Sequence, residues 1–410
     1  MRLLLISYFF PPDKSVGGLR AASITKYFPN TGIDVVLLTS QTDLEKAKGI
    51  QEQFNVKELF TTKRSKLRYW GYKTKILSLL ELLNLDKLFV FPDIYFPWIR
   101  RAVKEGRKAI KQTDPDCILV TAPPFSTFIV ANKLSLEFNI PILLDYRDPW
   151  SGNPTIKYPF EIVHRRHLKM ERKIIQRADL VVTVSEEYAE VISSNIDFPL
   201  EKIGIIYNGY TSVFEDKKNV QKTKKLKIFY SGSIHSIYKK TFDSFLYALN
   251  ALISEKNLTP EDICFAYAGD TSRKTINRKL EKFNMVPFFE DLGYLQGDEY
   301  YEQLQEANLH LVFNPEIHKY ALVTKIYDYM QVESHFLIIG KEGAIVKLCK
   351  EVKQQYTFVA DEKPEYVATV LMILYKKWTD NKLTYGAQKA FVANYSREEQ
   401  AKRYANLITK

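Results

Sequence analysis

The 410-residue sequence predicts an α/β protein with two doubly wound, Rossmann-like domains that face a central cleft. Short apolar runs rich in β-branched residues alternate with longer helical patterns along the whole chain, which is typical of parallel sheets. A polar, charged stretch divides the chain into two halves that repeat this plan. A chain of this length also exceeds one ordinary hydrophobic core, so two domains are expected.

The domain boundaries follow from the polar stretch. The first domain is predicted at 1–210, the linker at 211–225 and the second domain at 226–385, and an amphipathic C-terminal helix at 386–410 is expected to pack on the first domain. Open α/β sheets bind ligands at the carboxyl ends of their strands. The predicted strands are 2–7, 34–40, 117–122, 142–148, 180–185 and 203–208 in the first half, and 227–232, 263–269, 309–314, 335–340 and 356–361 in the second.

The composition argues against several classes of protein. The three cysteines lie far apart without a CxxC pair, which disfavours a disulfide framework and a zinc site. The apolar N-terminus is short and runs into a proline pair, so it predicts a buried strand rather than a signal peptide. The longest uncharged run, 117–132, is shorter than the ~20 residues that a membrane helix needs. A cytoplasmic protein is expected.

The positive charge is concentrated in one segment. The chain carries a net charge of +11, and residues 60–111 hold 13 Lys/Arg against 4 Asp/Glu, a net +9. Such a patch suggests an anionic partner, namely nucleic acid, anionic lipid or a phosphorylated substrate. Apolar runs and the aromatic residues Trp70 and Trp98 in the same segment suit a membrane interface. We therefore expect peripheral attachment to the inner face of the cytoplasmic membrane.

Two motifs stand at carboxyl strand ends in the first half. Gly17 and Gly18 precede a helix, and paired glycines there permit close approach of a backbone to an anion. Asp145, Arg147 and Asp148 end another predicted strand in ILLDYRDPW. Charges at such a position are costly to bury unless they are paired or used, so a functional role competes with a structural Arg–Asp ion pair.

Two further motifs lie in the second half. Gly232 ends a predicted strand and Lys240 falls in the first turn of the next helix, an arrangement suited to a phosphate group. In VTKIYDYM, Thr324 is expected to cap a helix, Lys325 to meet a diphosphate and Asp328 to accept hydrogen bonds from a ribose. An ion pair between the last two, three residues apart on one helix face, is the simpler interpretation.

Taken together, these strings resemble the GT-B glycosyltransferases of family 4 (group 1) over nearly the full length. The resemblance depends on their order and spacing. The strings are PPDKSVGGLR, DPDCILVTAPP, ILLDYRDPW, RADLVVTVSEEY and IIYNGY in the first half, and YSGSI, KKTFDSFLYAL, DLGYLQGDEYYEQLQEANLHLVF and TKIYDYM in the second.

The resemblance implies a retaining, metal-independent transfer of a sugar from a nucleotide diphosphate-sugar, with no cofactor. It implies that the first domain binds the acceptor and the second the donor. Together with the membrane attachment expected from residues 60–111, this suggests a lipid-linked glycan acceptor in surface polysaccharide biosynthesis, such as lipopolysaccharide or capsule. By the same resemblance, Gly17, Gly18, Lys240 and Asp328 match donor-binding positions, and Asp145, Arg147 and Asp148 match charged positions on the acceptor side. With Gly232, Thr324 and Lys325 from the motifs above, these give the expected donor-side residues, and Asp145, Arg147 and Asp148 are the expected catalytic residues.

The sequence departs from the family pattern in its carboxylates and in one arginine. The first of the family's two glutamates would fall on Tyr320, Asp328 replaces the second, and the usual arginine beside the phosphate-binding lysine is missing. These departures leave the donor sugar and nucleobase open. They also keep a GT-B nucleotide-sugar epimerase as an alternative, and the basic composition keeps a nucleic-acid-binding protein as another, although no nucleic-acid module is recognised and no nucleic-acid partner is expected.

Overall fold

Two parallel sheets, each with helices between its strands, form the protein in the computed structural model. It describes residues 1–13, 15–40, 49–51, 53–64, 86–211, 222–234 and 236–409. The chain divides into an N-terminal unit, Met1–Asn208 with Arg397–Lys410, and a C-terminal unit, Gly209–Ser396. Trp70 and most of the expected linker, 212–221, lie outside the described residues.

The N-terminal unit contains a seven-stranded parallel sheet in the order β3-β2-β1-β4-β5-β6-β7. Its strands are β1 Arg2–Ser7, β2 Asp34–Ser40, β3 Glu58–Thr62, β4 Cys117–Ala122, β5 Ile142–Tyr146, β6 Leu180–Thr183 and β7 Ile203–Ile205. Its helices are α1 Leu19–Tyr27, α2 Asp86–Phe89, α3 Trp98–Thr113, α4 Ser126–Phe138, α5 Glu161–Ile175, α6 Glu186–Ile196 and the C-terminal helix, Arg397–Ile408, which is numbered α14 in chain order.

The C-terminal unit contains a six-stranded parallel sheet in the order β10-β9-β8-β11-β12-β13. Its strands are β8 Leu226–Ser231, β9 Ile263–Ala268, β10 Phe289–Gly293, β11 Leu309–Asn314, β12 His335–Gly340 and β13 Tyr356–Val359. Its helices are α7 Lys239–Lys256, α8 Arg273–Lys282, α9 Gly297–Glu306, α10 Lys325–Tyr329, α11 Ala344–Glu351, α12 Pro364–Thr379 and α13 Lys389–Val392.

Both sheets are doubly wound, so the predicted fold class is confirmed. The central strands are buried along their whole length, which is why their sequences are continuous apolar runs. Four helices end on an asparagine or aspartate in the left-handed conformation, a residue type that tolerates a positive φ at a helix C-terminus. These residues are Asp114, Asn139, Asp197 and Asn257.

The sequence analysis missed two strands, β3 and β10. Both are edge strands with mostly half-exposed side chains, so neither has the continuous apolar run that identified the others. The strands predicted at 142–148, 180–185, 203–208 and 356–361 end two or three residues earlier than expected. In each case the residues that follow lie in the loop at the carboxyl end of the strand.

Hydrophobic clusters cover both faces of the N-terminal sheet. On one face, helix α14 contributes Tyr404, whose ring lies 5.8 Å from that of Phe28 in an edge-to-face contact. On the other face, α3 packs closely on α4, and a β-carbon on Gly106 would lie 2.4 Å from a methyl group of Leu134. A side chain at position 106 would therefore force Leu134 to shift.

Helix α3 corrects one expectation about the basic segment. Trp98 is fully buried, and its indole N–H donates to the hydroxyl of Thr62. It therefore does not face a membrane interface, because the apolar stripe of the helix is turned toward the sheet. The opposite face of the helix is exposed and carries Arg100, Arg101, Lys104, Arg107, Lys108 and Lys111.

The described helices include none that is both long enough and apolar enough to span a membrane.

Candidate functional site

A buried ion pair lies at the carboxyl edge of the N-terminal sheet. Asp145, near the end of β5, has no exposed surface and meets Arg20 of α1, with Nη2–Oδ1 and Nε–Oδ2 distances of 2.7 Å and 2.8 Å. The remaining nitrogen of Arg20 donates to the carbonyl oxygens of Ile206 and Tyr207 at 2.8 Å and 3.0 Å. The pair thus joins α1, β5 and the chain that follows β7.

Arg147 joins the loops that leave the neighbouring strands. Its guanidinium donates to the carbonyl oxygens of Gly17 and Pro123, and more weakly to that of Ala122 at 3.3 Å. Burial lowers the pKa of Arg147, an effect that the nearby Asp148 and Asp145 oppose.

The paired glycines are tightly packed against the protein. A β-carbon on Gly17 would lie 2.9 Å from a guanidinium nitrogen of Arg147 and 3.1 Å from the ring of Phe9. A β-carbon on Gly18 would lie 3.2 Å from the backbone of Phe10. These contacts leave little room for a side chain at either position.

The third charge of the predicted cluster lies in a different environment. Asp148 is half-buried and accepts a long hydrogen bond of 3.4 Å from the hydroxyl of Tyr188 on α6. Burial raises the pKa of its carboxyl, while Arg147 and Tyr188 counteract this effect. Asp148 is therefore less strongly held as an anion than a carboxylate in a close ion pair.

Helix α5 adds buried polar groups beside the same loop. Glu171 is almost fully buried and accepts hydrogen bonds from the amide, at 2.9 Å, and the hydroxyl of Ser151. Burial raises its pKa to about 7 despite these bonds. One turn earlier, His167 accepts a hydrogen bond from the indole of Trp150 at 3.0 Å, and burial lowers its pKa to about 4.

At the carboxyl edge of the C-terminal sheet, the loop after β8 is open. Gly232 has a φ of +102°, a conformation that side chains strongly disfavour, and no atom of the described residues lies within 4 Å of where its β-carbon would be. Just before it, the amide of Ser231 donates to the hydroxyl of Tyr329 at 2.8 Å, and the hydroxyl of Ser231 lies 3.0 Å from that of Tyr300.

Lys325 reaches the same point. Its ammonium donates to the carbonyl oxygen of Ser231 at 2.9 Å and lies 3.3 Å from the centre of the Tyr230 ring. A cation over an aromatic face is favourable, but burial still lowers the pKa of Lys325 well below its usual value. An anion beside this ammonium would stabilise its charged form.

Asp328 lies one turn further along α10 and is half-buried. Its carboxylate is close enough to raise the pKa values of Tyr300 and Tyr329, although desolvation is the larger cause for both. Thr324 occupies the N-cap position, but its side chain makes no capping hydrogen bond, so the expected cap is wrong. Its backbone is already helical there, a geometry unsuited to side-chain capping.

Lys240 is strongly exposed in the first turn of α7. Its ammonium lies 3.8 Å from a carboxylate oxygen of Glu362, a contact that contributes little at such exposure. The same carboxylate accepts from the hydroxyl of Thr241.

The structure thus brings some of the predicted residues together. Gly17 contacts Arg147, and Lys325 contacts the residue before Gly232. The sequence analysis did not identify Arg20, although a carboxylate buried on a strand requires a cation. It also missed Tyr300 and Tyr329, which lack any sequence signal because their hydroxyls meet Ser231 only in the folded sheet.

Residues 18–212 match the family described as Glycosyltransferase Family 4. The chain carries a glycosyltransferase family 4 domain and is a glycosyltransferase. The resemblance inferred from the sequence motifs is therefore confirmed at the level of family and enzyme class. No sequence among the curated proteins matches the chain.

Solved structures share the fold along the whole chain. The Anabaena protein Alr3699/HepE, in complex with UDP and glucose, is 13% identical with a TM-score of 0.65, over 100% of both chains. Sucrose-phosphate synthase from Thermosynechococcus elongatus is 12% identical with a TM-score of 0.70, over 100% of this chain and 98% of that one. UDP-GlcNAc 2-epimerase from Neisseria meningitidis, bound to UDP-GlcNAc, is 10% identical with a TM-score of 0.55, over 100% of both. At these identities the likeness concerns the GT-B fold.

Loss of the buried ion pair should destabilise the N-terminal unit. Asp145→Asn leaves the Arg20 guanidinium buried without its counter-charge, so the free energy of unfolding is expected to fall by about 3–5 kcal/mol. Asp148→Asn is the matched control. Because burial disfavours the ionised form of Asp148, this variant should retain the stability of the wild type. Urea denaturation of both variants measures the difference, and equal stabilities would contradict the assigned role of the pair.

The raised pKa of Glu171 predicts a pH-dependent stability. Its pKa rises from a usual 4.5 to about 7 on folding, so its contribution is full below pH 4.5 and is lost as the pH rises through 7. Relative to Glu171→Gln, the wild type should lose about 3 kcal/mol of unfolding free energy over this range. Denaturation of both proteins at several pH values is the measurement. Parallel pH profiles would show that the carboxyl titrates normally.

Proposed function

We propose that the protein is a retaining, metal-independent glycosyltransferase that moves a sugar from a nucleotide diphosphate-sugar to a lipid-linked glycan in surface polysaccharide biosynthesis. The observation that carries the donor assignment is the open loop at Gly232 beside the partly desolvated ammonium of Lys325. HepE, which has the same fold, is described in complex with UDP and glucose, and this supports a nucleotide-sugar donor.

The donor diphosphate is proposed to lie at the Gly232 loop. A backbone without a side chain there permits close approach, and Lys325 supplies a positive charge in a poorly solvated position where it acts strongly. Lys240 is exposed, so it is available to move from Glu362 toward a phosphate. Neutralising the departing diphosphate is the main electrostatic requirement of the transfer, and lysines can meet it without a metal.

The ribose is proposed to bind at Asp328. A carboxylate accepts hydrogen bonds from both hydroxyls of a diol. The hydroxyl of Tyr300 lies in the same group of polar side chains, because it contacts Ser231 and responds to the charge of Asp328.

On the acceptor side we assign Asp145 a positioning role. Its two oxygens are engaged by Arg20, so it acts by holding α1 and the Gly17 loop in place. Arg147 holds the same loop through the carbonyl oxygen of Gly17. Asp148, with its raised pKa and a long hydrogen bond to Tyr188, is the better candidate to contact the acceptor.

Attachment to an anionic membrane is proposed through the exposed basic face of α3. This face retains six cations from the charged segment 60–111. Arg107 is engaged by Glu137 and Lys108 by Glu105, whereas the structure gives Arg100 and Lys104 no such carboxylate among the described residues. Cations near a membrane surface are attracted to anionic lipid by about 1 kcal/mol each.

Nucleotide binding tests the donor assignment. A thermal-shift screen of nucleoside diphosphates with EDTA present should identify a ligand, because binding to the folded state raises the melting temperature. For that ligand, Asp328→Ala should weaken binding by about 1.5–3 kcal/mol, or roughly 10- to 150-fold, as expected for a lost hydrogen bond to a charged group. Glu299→Ala, an exposed carboxylate of the same unit, is the control.

Three results would count against this proposal. Binding that requires manganese would overturn metal independence, and an unchanged affinity of folded Asp328→Ala would return that residue to a structural role. Conversion of the donor sugar to its epimer without any acceptor would favour an epimerase, a class whose fold the chain also shares.

Vesicle sedimentation tests the membrane assignment. The wild type should bind anionic vesicles at low salt and be released at high salt, because the attraction is screened. Reversing Arg100 and Lys104 to glutamate should weaken binding by about tenfold or more. The same reversal at Lys376 and Lys377, exposed on α12, is the control and should have no effect. Retention of the wild-type affinity by the α3 variant would remove this helix from the interaction.

A further inference from the structure

The N-terminal unit contains a cavity at the carboxyl edge of its central strands. Its volume is about 310 Å³, and it is bordered by Phe9 after β1, Pro123 and Phe125 after β4, and Trp150 after β5. Ligand pockets begin at roughly this volume, and in open α/β sheets they lie at this edge.

The walls of the cavity are overwhelmingly apolar. The rings of Phe125 and Trp150 stack with their centroids 5.0 Å apart and their planes within 6°, and Val90, Ile94 and Ile156 contribute aliphatic surface. A cavity with such walls is more stable when an apolar group fills it than when water does.

The carboxylate that borders the cavity is already satisfied by the protein. Asp93 accepts from the amide and the hydroxyl of Ser126, at 2.9 Å and 2.7 Å, and from the amide of Tyr95 at 2.9 Å. It therefore holds the start of α4 in place and offers little to a ligand.

His167 at the cavity has one ring nitrogen without a hydrogen-bond partner among the described residues. Its Nδ1 accepts the indole hydrogen of Trp150, so in the neutral ring the proton lies on Nε2. The side chain is only 3% exposed, and Nε2 has no hydrogen-bond partner among the described residues. The hydroxyl of Tyr158, which also borders the cavity, is equally buried and without a partner there. Buried donors of this kind are usually satisfied, so a ligand oxygen is the natural partner.

One cation borders the same cavity. Lys87 donates to the carbonyl oxygen of Lys157, and its ammonium lies 5.6 Å from the centre of the Tyr158 ring. A positive group together with two hydroxyl or imidazole donors favours an anionic oxygen next to the apolar part of the ligand.

We infer that this cavity receives the apolar chain of a lipid-linked acceptor, with an oxygen of the linking phosphate at Nε2 of His167 and the hydroxyl of Tyr158. This assignment rests on the proposed function and specifies its acceptor. A sugar ring fits less well, because its several hydroxyls would be buried against walls that offer few partners.

Dodecyl phosphate, used below its aggregation concentration, is the probe, and isothermal titration calorimetry is the measurement. The wild type should bind it saturably and should not bind inorganic phosphate in the same range. Ile156→Trp and Val90→Phe each place extra volume in the cavity, and each should weaken binding at least about tenfold, as for a pocket that is partly filled. Ile162→Trp, the same substitution at an exposed site of α5, is the matched control and should bind as the wild type does.

The position of the phosphate is tested separately. His167→Phe keeps a flat ring but removes the donor, so the preference for dodecyl phosphate over dodecanol should fall about tenfold. Because this is a ratio of two affinities in one variant, a general loss of packing does not mimic it. An unchanged ratio would overturn the assignment of His167.

The remaining outcomes separate the cavity from the proposed function. Three results would overturn the inference and leave nucleotide binding unaffected: absence of dodecyl phosphate binding, wild-type affinity in both filling variants, and displacement of the probe by methyl glucoside. Dodecyl phosphate binding in a protein that binds no nucleoside diphosphate would overturn the acceptor assignment together with the proposed function.

Discussion

The buried ion pair between Arg20 and Asp145 is the contact on which the edge of the N-terminal sheet depends. A guanidinium in the interior is costly unless its donors are paired, and here they are shared between one carboxylate and the carbonyl oxygens of Ile206 and Tyr207. The pair therefore sets the position of α1 relative to β5 and to the chain beyond β7. Arg147 extends this arrangement to the loops after β1 and β4.

The same two charged residues also bear on the proposed acceptor side. Asp145 and Arg147 are occupied in holding loops, and the tight fit around Gly17 reflects the same contact. The loops enclose an apolar cavity. Two of its polar atoms, Nε2 of His167 and the hydroxyl of Tyr158, have no hydrogen-bond partner among the described residues. The charged residues thus hold the loops around the proposed site, and a ligand there would contact mainly its apolar walls.

At the edge of the C-terminal sheet, hydrogen bonds to Ser231 connect the elements instead of a buried ion pair. Ser231 connects the hydroxyls of Tyr300 and Tyr329, and Lys325 reaches its carbonyl oxygen from α10. Burial destabilises the charged form of Lys325. An anion bound there would therefore be attracted more strongly by Lys325 than by a solvated lysine. The open position at Gly232 lies next to this group in the chain, which is why both features support the same ligand.

The sequence by itself determined the fold class and the central strands, because parallel strands that are buried on both faces have continuous apolar sequences. It also determined the family, since the order of the motifs is a property of the chain alone. The edge strands β3 and β10 were not predictable, because their half-exposed side chains leave a weak pattern. Only the tertiary structure decided that Asp145 pairs with Arg20, 125 residues away, and that Trp98 is buried. It also decided that His167 borders a cavity. Such facts depend on which side chains meet across separate elements, and that is set by packing in three dimensions rather than by local spacing.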